Sequence, residues 1–511
     1  MLVSRVSSIP QAVPRFDPRR RRTVTIALVL VTALASFEST VVSTAMPTII
    51  GDLGGLPLYS WVFSIYLLTS TVMMPIYGRL ADIYGRRRIL LVAISIFLAG
   101  AMTCGFAQSM PQLIAARALQ GLGAAGLIPV ALTVSGDLYS LKERAKIQGL
   151  FSGVWGVASL IGPLIGAWMT MTLGWRSIFT INIPLGILAF VLVATKMIES
   201  RATLPDPLDV AGGASLAVGV TALLFAVLHG SASGSMGLPV RLALLAAAAT
   251  SLAIFVRLQL SREHPLIPPS LFGHMRTAAP YLGGVLMGTT IYGVDTFVPL
   301  FVQGARGGTA GAAGAVVTPL VFFWALSAAV GAKLVVRFGF RRTARWGAVL
   351  ILTGLAALVT AAWMNASVPW ISAACAIVGA GLGPSSIAQV LAIQNVVSER
   401  QRGVATSLVP FFRTVGGSIG VGALGGLLAA GITRRLGPAA ETAGRLLASG
   451  GEAAGGIAPA AFRLAIERSL IPVFGILVGL AVLNLLVTGR FPERAVGVEE
   501  SGAEEILLSA D

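Results

Sequence analysis

One carboxylic acid interrupts the first long apolar stretch of the sequence. Glu38 lies in ALASFESTVVSTAMP, residues 33–47. A charged side chain at the centre of a membrane helix costs about 2.5–3.5 kcal/mol on insertion scales for Asp, Lys and Arg, so such a group faces a wet cavity or a partner. We expect Glu38 to carry a proton between the two sides of a membrane, or to contact a substrate. The structural alternative is a hydrogen bond to a neighbouring helix.

Arg117 is the predicted partner of Glu38. At 1.5 Å per residue, Glu38 lies about 21 Å from one end of its apolar segment, and Arg117 lies about 10 Å from the opposite end of its own. Both side chains then lie at similar depth in an apolar layer about 30 Å thick. The alternative to a role in proton coupling is a structural ion pair.

Two more charges lie inside apolar segments. Asp295, in YGVDTFVPL, could meet the positive charge of a substrate, or it could be solvated at an outer mouth. Arg413 lies ten residues into another segment and needs a partner that the sequence does not identify. We record Arg413 as a buried charge of unknown role.

The composition indicates an integral membrane protein. The 511 residues are 55% hydrophobic and 11% charged, with a mean hydropathy of +0.85 and a net charge of +16. An ordinary globular chain is about 25% charged. The basic residues fall in short gaps between apolar runs and do not cluster on a soluble domain, so we expect no nucleic-acid partner. Two isolated cysteines and three scattered histidines predict no metal site, no cofactor and no enzyme activity.

The hydropathy pattern predicts fourteen membrane-spanning helices, because a span needs about 20 apolar residues and must satisfy its own backbone. Arg and Lys cluster in alternate loops, which predicts that both termini are cytoplasmic. The predicted spans are 24–47, 58–78, 89–107, 111–136, 147–171, 176–196, 208–230, 239–258, 278–303, 313–335, 344–364, 368–394, 403–430 and 470–489.

An internal repeat relates the two parts of the chain. GRLADIYGRRR (78–88) returns weakly as AKLVVRFGFRR (332–342), and GLFSGVWGVASLIGPLIG (149–166) returns as GVATSLVPFFRTVGGSIG (403–420). Both pairs share the offset of 254, a shift of eight predicted spans. Two six-helix halves separated by two extra helices explain that shift.

The repeat predicts an all-α fold with two six-helix bundles and two inserted helices. The tails are predicted to lie in the cytoplasm, and residues 431–469 on the outside. The predicted divisions are a tail at 1–23, an N-terminal bundle at 24–200, the inserted helices at 201–260, a C-terminal bundle at 261–490 and an acidic tail at 491–511.

These motifs resemble the major facilitator superfamily, and within it the fourteen-span drug:proton antiporters. GRLADIYGRRR resembles the loop that follows span 2, RALQGLGAAGLIPVALTVSGDL resembles the span-4 motif, and GPLIG resembles the antiporter motif of span 5. STVVSTAMPTI, WRSIFTINIPLGI and HPLIPPSLF also resemble that group. Its span-1 motif often has Asp where this chain has Glu38, so a carboxyl group is retained.

The resemblance implies roles for two further sets of residues. In the first loop Asp82 is expected to pair across the bundle and close a gate, since the repeated loop has Val336 in its place. The structural alternative for the basic residues is that they set the topology. The gating set is Gly78, Arg79, Asp82, Gly85, Arg86, Arg87 and Arg144. The antiporter set is Gly153, Gly162, Pro163 and Gly166.

The sequence therefore predicts a proton-driven exporter of amphipathic, often cationic, small molecules. The alternative is an exporter of a lipid or a specific metabolite with the same fold. Protons are the expected coupling ion, and the expected partners are a small-molecule substrate and the lipid bilayer of the cell membrane. We expect a monomer.

Overall fold

A computed structural model of the chain describes residues 17–54, 58–198, 207–232, 237–308, 310–364, 366–437 and 459–493. Long helices make up almost all of these residues, and the described part of the chain contains no strand. This all-α architecture confirms the fold class predicted from the sequence. The predicted tails lie mostly outside the described residues, as does the middle of the external segment.

Seven helices form the N-terminal part. The first begins in the arginine run, where Asp17 accepts a hydrogen bond from the backbone N–H of Arg19 at 3.1 Å and Pro18 occupies the first turn. A Ser140–Glu143 capping box starts the fifth helix. The helices are α1 (Pro18–Leu53), α2 (Tyr59–Tyr84), α3 (Arg86–Gly105), α4 (Met110–Leu138), α5 (Leu141–Leu173), α6 (Ser177–Thr180) and α7 (Asn182–Lys196).

Two inserted helices and a second bundle follow. A short π-helical segment, Phe301–Ala305, continues the tenth helix, and a 3-10 turn, Glu399–Gln401, precedes the thirteenth. The helices are α8 (Val210–Ala232), α9 (Leu238–Ser261), α10 (Met275–Leu300), α11 (Ala310–Trp363), α12 (Val368–Val396), α13 (Arg402–Leu436) and α14 (Pro459–Thr488).

Several helices extend beyond the ends of the predicted spans. For example, α1 starts at Pro18 rather than 24, and α13 runs to Leu436 rather than 430. Within the described residues, 12 helices are long and apolar enough to cross a membrane, or 13 if the bent α5 counts as one span. The 54-residue α11 would extend about 80 Å if straight, far beyond an apolar layer of about 30 Å. The number fourteen stays a prediction that depends on α11 crossing twice.

The break in α11 falls at a residue that the repeat had aligned. Gly339 has φ 81°, and its counterpart Gly85, between α2 and α3, has φ 97°. Side chains strongly disfavour this left-handed region, so glycine turns the chain at both positions. The two loops also make equivalent contacts, each within its own half. Arg87 donates to Ala194 O near the end of α7, and Arg341 Nε donates to Phe491 O just after α14, at 2.8 Å.

The two bundles meet mainly along two helix pairs, α2 with α13 and α5 with α11, and α4 also contacts α13. Small residues allow these contacts. A Cβ atom on Gly78 would lie 2.2 Å from Ser407 Oγ, and a Cβ atom on Gly156 would lie 2.3 Å from Ala325 Cβ. The inserted helix α8 packs against both α2 and α13, so it covers one of these two seams. Close approach through small residues is typical of membrane helix packing.

Candidate functional site

Glu38 and Arg117 form an ion pair inside the N-terminal bundle. Their exposed fractions are 1% and 2%, and Arg117 Nη1 donates to Glu38 Oε1. The pair joins α1 to α4, as the matching depths in the sequence predicted. An ion pair removes much of the cost of burying each charge alone.

Two amides complete this network. Asn182 Nδ2 donates to Glu38 Oε2 at 2.7 Å, and Arg117 Nη1 donates to Gln120 Oε1 at 2.7 Å. Both amides are fully buried. The guanidinium of Arg117 also lies 4.1 Å from the ring centroid of Tyr66, a cation–π geometry. Neither amide was predicted from the sequence, although Gln120 lies one helical turn after Arg117 and Asn182 lies in the motif WRSIFTINIPLGI.

Asp82 joins the two halves through backbone groups. Its side chain is 2% exposed and accepts the backbone N–H groups of Gly403 and Val404, each at 2.9 Å. Those groups belong to the first turn of α13, where N–H groups lack partners within the helix and the helix dipole favours a negative charge. Asp82 therefore forms a contact between the two halves, as expected for a gate. Its partners in the other half are backbone N–H groups and not a basic side chain.

Asp137, at the end of α4, extends this contact and was missed in the sequence. It pairs with Arg86 at 3.0 Å and with Arg402 of the other half at 2.6 Å. Arg86 also pairs with Asp82 at 2.9 Å. We call Asp82, Arg86, Asp137, Arg402 and the first turn of α13 the latch. Asp137 lies at the end of the span-4 motif RALQGLGAAGLIPVALTVSGDL, next to two basic loops. This position was the signal from which its ion pairs could have been predicted.

Two other predicted gating residues lie close to the latch in the sequence, Arg79 on α2 with Asp82 and Arg144 in the first turn of α5. Arg79 is buried, with an exposed fraction of 7%. Arg144 Nε donates to Tyr139 O within its own loop at 2.6 Å. A Cβ atom on Gly403 would lie 2.5 Å from Asp82 Oδ1, so the latch also depends on a small residue in α13.

The antiporter set shapes α5 beside Glu38. A Cβ atom on Gly162 would lie 2.2 Å from Thr40 Oγ1, which is two residues from Glu38 on α1. At this level α5 bends by 48°, and Pro163, which lacks an N–H group, lies at the break. Gly166 is buried, whereas Gly153 has open space around its α-carbon. The tight position, Gly162, therefore lies in the half of α5 that contacts the Glu38 helix.

Asp295 is accessible although it lies within a membrane helix. Its side chain is exposed, and no hydrogen bond or ion pair to it is found within the described residues. It shares one face of α10 with Gly288 and Tyr292, and both of these pack against α13. Asp295 therefore lies on the side of α10 that faces α13, which is the inner side of this helix.

Arg413 lies half-buried in the C-terminal bundle. Its Nη2 donates to Gln389 Oε1 of α12 at 3.5 Å, the limit of a hydrogen bond, and its buried Nε has no partner. No carboxylate pairs with Arg413 in the part of the chain that the structure describes. The partner that the sequence left unidentified is thus a neutral amide.

Comparisons with known proteins agree with this architecture. The Major Facilitator Superfamily model matches residues 28–421. "Multidrug transporter protein MdtP" of Bacillus subtilis is 36% identical over 409 residues, which cover 80% of this chain and 75% of that protein. "Multidrug resistance protein 3" of the same organism is 31% identical over 398 residues, 78% of each chain.

Solved structures show the same fold. A bacterial homologue of the iron transporter ferroportin in an outward-facing state has a TM-score of 0.62 at 14% identity and covers 92% of this chain and 98% of its own. The human organic anion transporter MFSD10 has a TM-score of 0.60 at 14% identity, with 93% and 100% covered. The family model and the sequence relatives indicate a membrane transporter. This chain belongs to the Major Facilitator Superfamily.

Proposed function

We propose that this transporter is a proton-coupled antiporter that exports amphipathic, often cationic, small molecules across the cell membrane by alternating access. The observation that carries the proposal is the buried Glu38–Arg117 pair in a fold shared with multidrug transporters. A carboxylate at this depth is costly and is typical of proton and ion pathways. Both termini lie in the cytoplasm in this proposal.

Coupling follows from the balance of charge in the network. While Glu38 is ionised, it compensates Arg117, and both can stay dry. When a proton neutralises Glu38, Arg117 keeps only neutral acceptors, namely Gln120 Oε1 and Val62 O at 3.3 Å. The bundle then favours a rearrangement that brings water or another anion to Arg117. The proton thereby shifts the equilibrium between two states.

The latch supplies the second requirement, a closed end. In the present state it joins α2 and α4 to α13 at the end that the charge pattern assigns to the cytoplasm. Opening toward the cytoplasm would break the bonds from Gly403 and Val404 to Asp82. The latch therefore opposes that opening until other interactions compensate its loss.

Asp295 supplies the counter-charge for cationic substrates. A cation that enters a poorly solvated cavity needs a compensating charge. Asp295 is accessible, has no described partner and lies on the inner side of α10. Neutral amphipathic molecules do not need that group.

The test is proton-driven dye efflux by purified protein in liposomes. Glu38→Gln keeps the shape and the hydrogen-bonding capacity of the side chain but removes its charge and its titration, so it should fold and should not concentrate dye against a gradient. Downhill dye movement serves as the control for folding. Normal concentrative efflux by the variant would refute proton coupling at Glu38.

A further inference from the structure

Arg413 is a cation in the middle of the membrane region without a described counter-charge. It is the twelfth residue of α13, about 17 Å from the start of that helix. Its single described hydrogen bond goes to the neutral oxygen of Gln389, and its Nε is buried without a partner. A guanidinium in this position keeps unused donors aimed into the bundle.

An uncompensated buried charge is rarely retained for packing alone. A charge that is buried without a counter-charge is costly, more so than one in an ion pair. The acceptor Gln389 is itself 1% exposed. The described part of the bundle therefore holds a cation that its own side chains do not neutralise.

The surroundings of Arg413 leave its side chain facing the interior. A Cβ atom on Gly288 would lie 1.9 Å from the carbonyl oxygen of Arg413, and a Cβ atom on Gly417 would lie 2.0 Å from the ring of Tyr292. Gly417 lies one turn after Arg413 on the same face of α13. The backbones of α10 and α13 are therefore in close contact at this level. The guanidinium of Arg413 extends from this contact toward α12.

We propose that Arg413 is a binding site for a compact anionic group, such as a carboxylate, on the molecule that the protein transports. A guanidinium matches a carboxylate because two parallel N–H groups can donate to its two oxygens. The proposal rests on the proposed exporter function, and it extends the substrate class from cations to amphipathic carboxylates.

The position of Asp295 gives this site a second charged group at a defined distance from Arg413. Gly288 marks the level of Arg413 on α10, and Asp295 lies seven residues further along the same face, or about 10 Å. Along the helix axis, the backbone levels of the cation Arg413 and the anion Asp295 are thus about 10 Å apart on one seam of the C-terminal bundle. Molecules with an acidic group at one end and a basic group at the other fit both positions.

The experiment uses one apolar group with three different head groups. Pyrenebutyrate, pyrenebutanol and pyrenebutyl-trimethylammonium share a fluorescent ring and a tail and differ in charge. Their affinities are measured by fluorescence on the full-length protein in liposomes, for the wild type, Arg413→Gln and Arg413→Lys. Arg434→Gln is the matched control, since it removes an exposed arginine from the same helix.

We expect the wild type to bind the carboxylate at least tenfold more tightly than the alcohol. Arg413→Gln should abolish that preference and leave the affinities for the alcohol and the ammonium unchanged, whereas Arg413→Lys should retain part of the preference. Arg434→Gln should behave as the wild type.

Two results would overturn the assignment. One is a wild type that binds the carboxylate no better than the alcohol, a comparison that needs no variant to fold. The other is an equal loss of all three probes in Arg413→Gln, which would make the residue structural. Proton-driven efflux of the ammonium probe, measured in parallel on the wild type, tests the exporter function separately.

Discussion

The two halves of the protein treat buried charge in opposite ways. In the N-terminal half, Glu38 and Arg117 neutralise each other, and two buried amides complete the network. In the C-terminal half, Arg413 has one weak neutral partner, and Asp295 has none among the described residues. One half is internally balanced, whereas the other presents separate charges that a bound molecule can satisfy.

The internal repeat shows which features the fold requires. Gly85 and Gly339 both adopt positive φ, and Arg87 and Arg341 both donate to a carbonyl at the end of the last helix of their half. Because these features occur in both halves, we infer that the fold of each bundle requires them.

Features that occur once point to function. Asp82 corresponds to Val336, which is 41% exposed and cannot accept a hydrogen bond. Glu38 corresponds to Tyr292 at the offset of 254. The carboxylates of the proposed gate and of the proposed coupling site are thus confined to the N-terminal half, and in this proposal the two similar bundles have different functions.

The largest expected effect is on stability, in variants that compare the Glu38–Arg117 ion pair with the isolated charge of Arg413. Arg117→Met leaves the carboxylate of Glu38 buried without a cation, which should lower stability by about 3–5 kcal/mol. The double variant Glu38→Gln/Arg117→Met should recover most of that loss. Arg413→Met removes a charge with no counter-charge, so it should leave stability unchanged or raised. Thermal unfolding of the purified proteins provides the measurement, and equal destabilisation by both arginine variants would contradict the contrast between the halves.

Asp82→Asn tests the function of the latch. The variant loses the charge that accepts two backbone N–H groups and pairs with Arg86, and hydrogen bonds to charged groups contribute about 1.5–3 kcal/mol each. We expect the equilibrium to shift by tenfold or more toward opening at that end, with slower cycling and nearly unchanged substrate affinity. Distances between spectroscopic labels on α2 and α13 report the shift. Val336→Ala is the matched control in the repeated loop. Lost binding with unchanged distances would argue against a gate.

Asp295→Asn tests the free carboxylate and should have a smaller effect. Removing a counter-charge in a partly solvated site should weaken export of cationic dyes about tenfold, equivalent to about 1.4 kcal/mol. Export of neutral compounds and proton coupling at Glu38 should be retained. Efflux of one cationic and one neutral dye by the same variant provides the comparison. An equal loss of both would assign Asp295 to coupling or structure, and no loss of either would leave it in solvent at the mouth.

The sequence was sufficient where fixed helix geometry decides the outcome. The rise per residue predicted that Glu38 and Arg117 meet, because depth in a membrane helix follows from counting residues. Hydropathy predicted the helices, but not their ends, since polar turns such as the arginine run of α1 continue as helix beyond the apolar layer. The aligned loops predicted that Gly85 and Gly339 have equivalent positions.

The sequence was insufficient where contacts depend on how helices are rotated and packed. Asp82 is satisfied by backbone N–H groups, which every residue except proline carries, so no side chain in the sequence identifies them. Asn182 and Gln120 reach the ion pair only through the packing of α1, α4 and α7. For Arg413, no sequence pattern distinguishes a distant carboxylate from the neutral Gln389 that the structure shows.

The smallest expected effect concerns the two loops that both halves share. Ala at Gly85 or Gly339 would have to adopt positive φ, which costs about 1–2 kcal/mol for an L-residue. Both single variants should therefore lower the unfolding temperature by a similar small amount, while Gly153→Ala, which has open space around it, should not. Transport should distinguish the two loops, because Gly85 lies between Asp82 and Arg86 of the latch, whereas the loop at Gly339 has no such carboxylate. We expect Gly85→Ala to slow dye efflux more than Gly339→Ala at matched stability. Equal efflux by the two variants would show that the loops differ in their residues but not in their function.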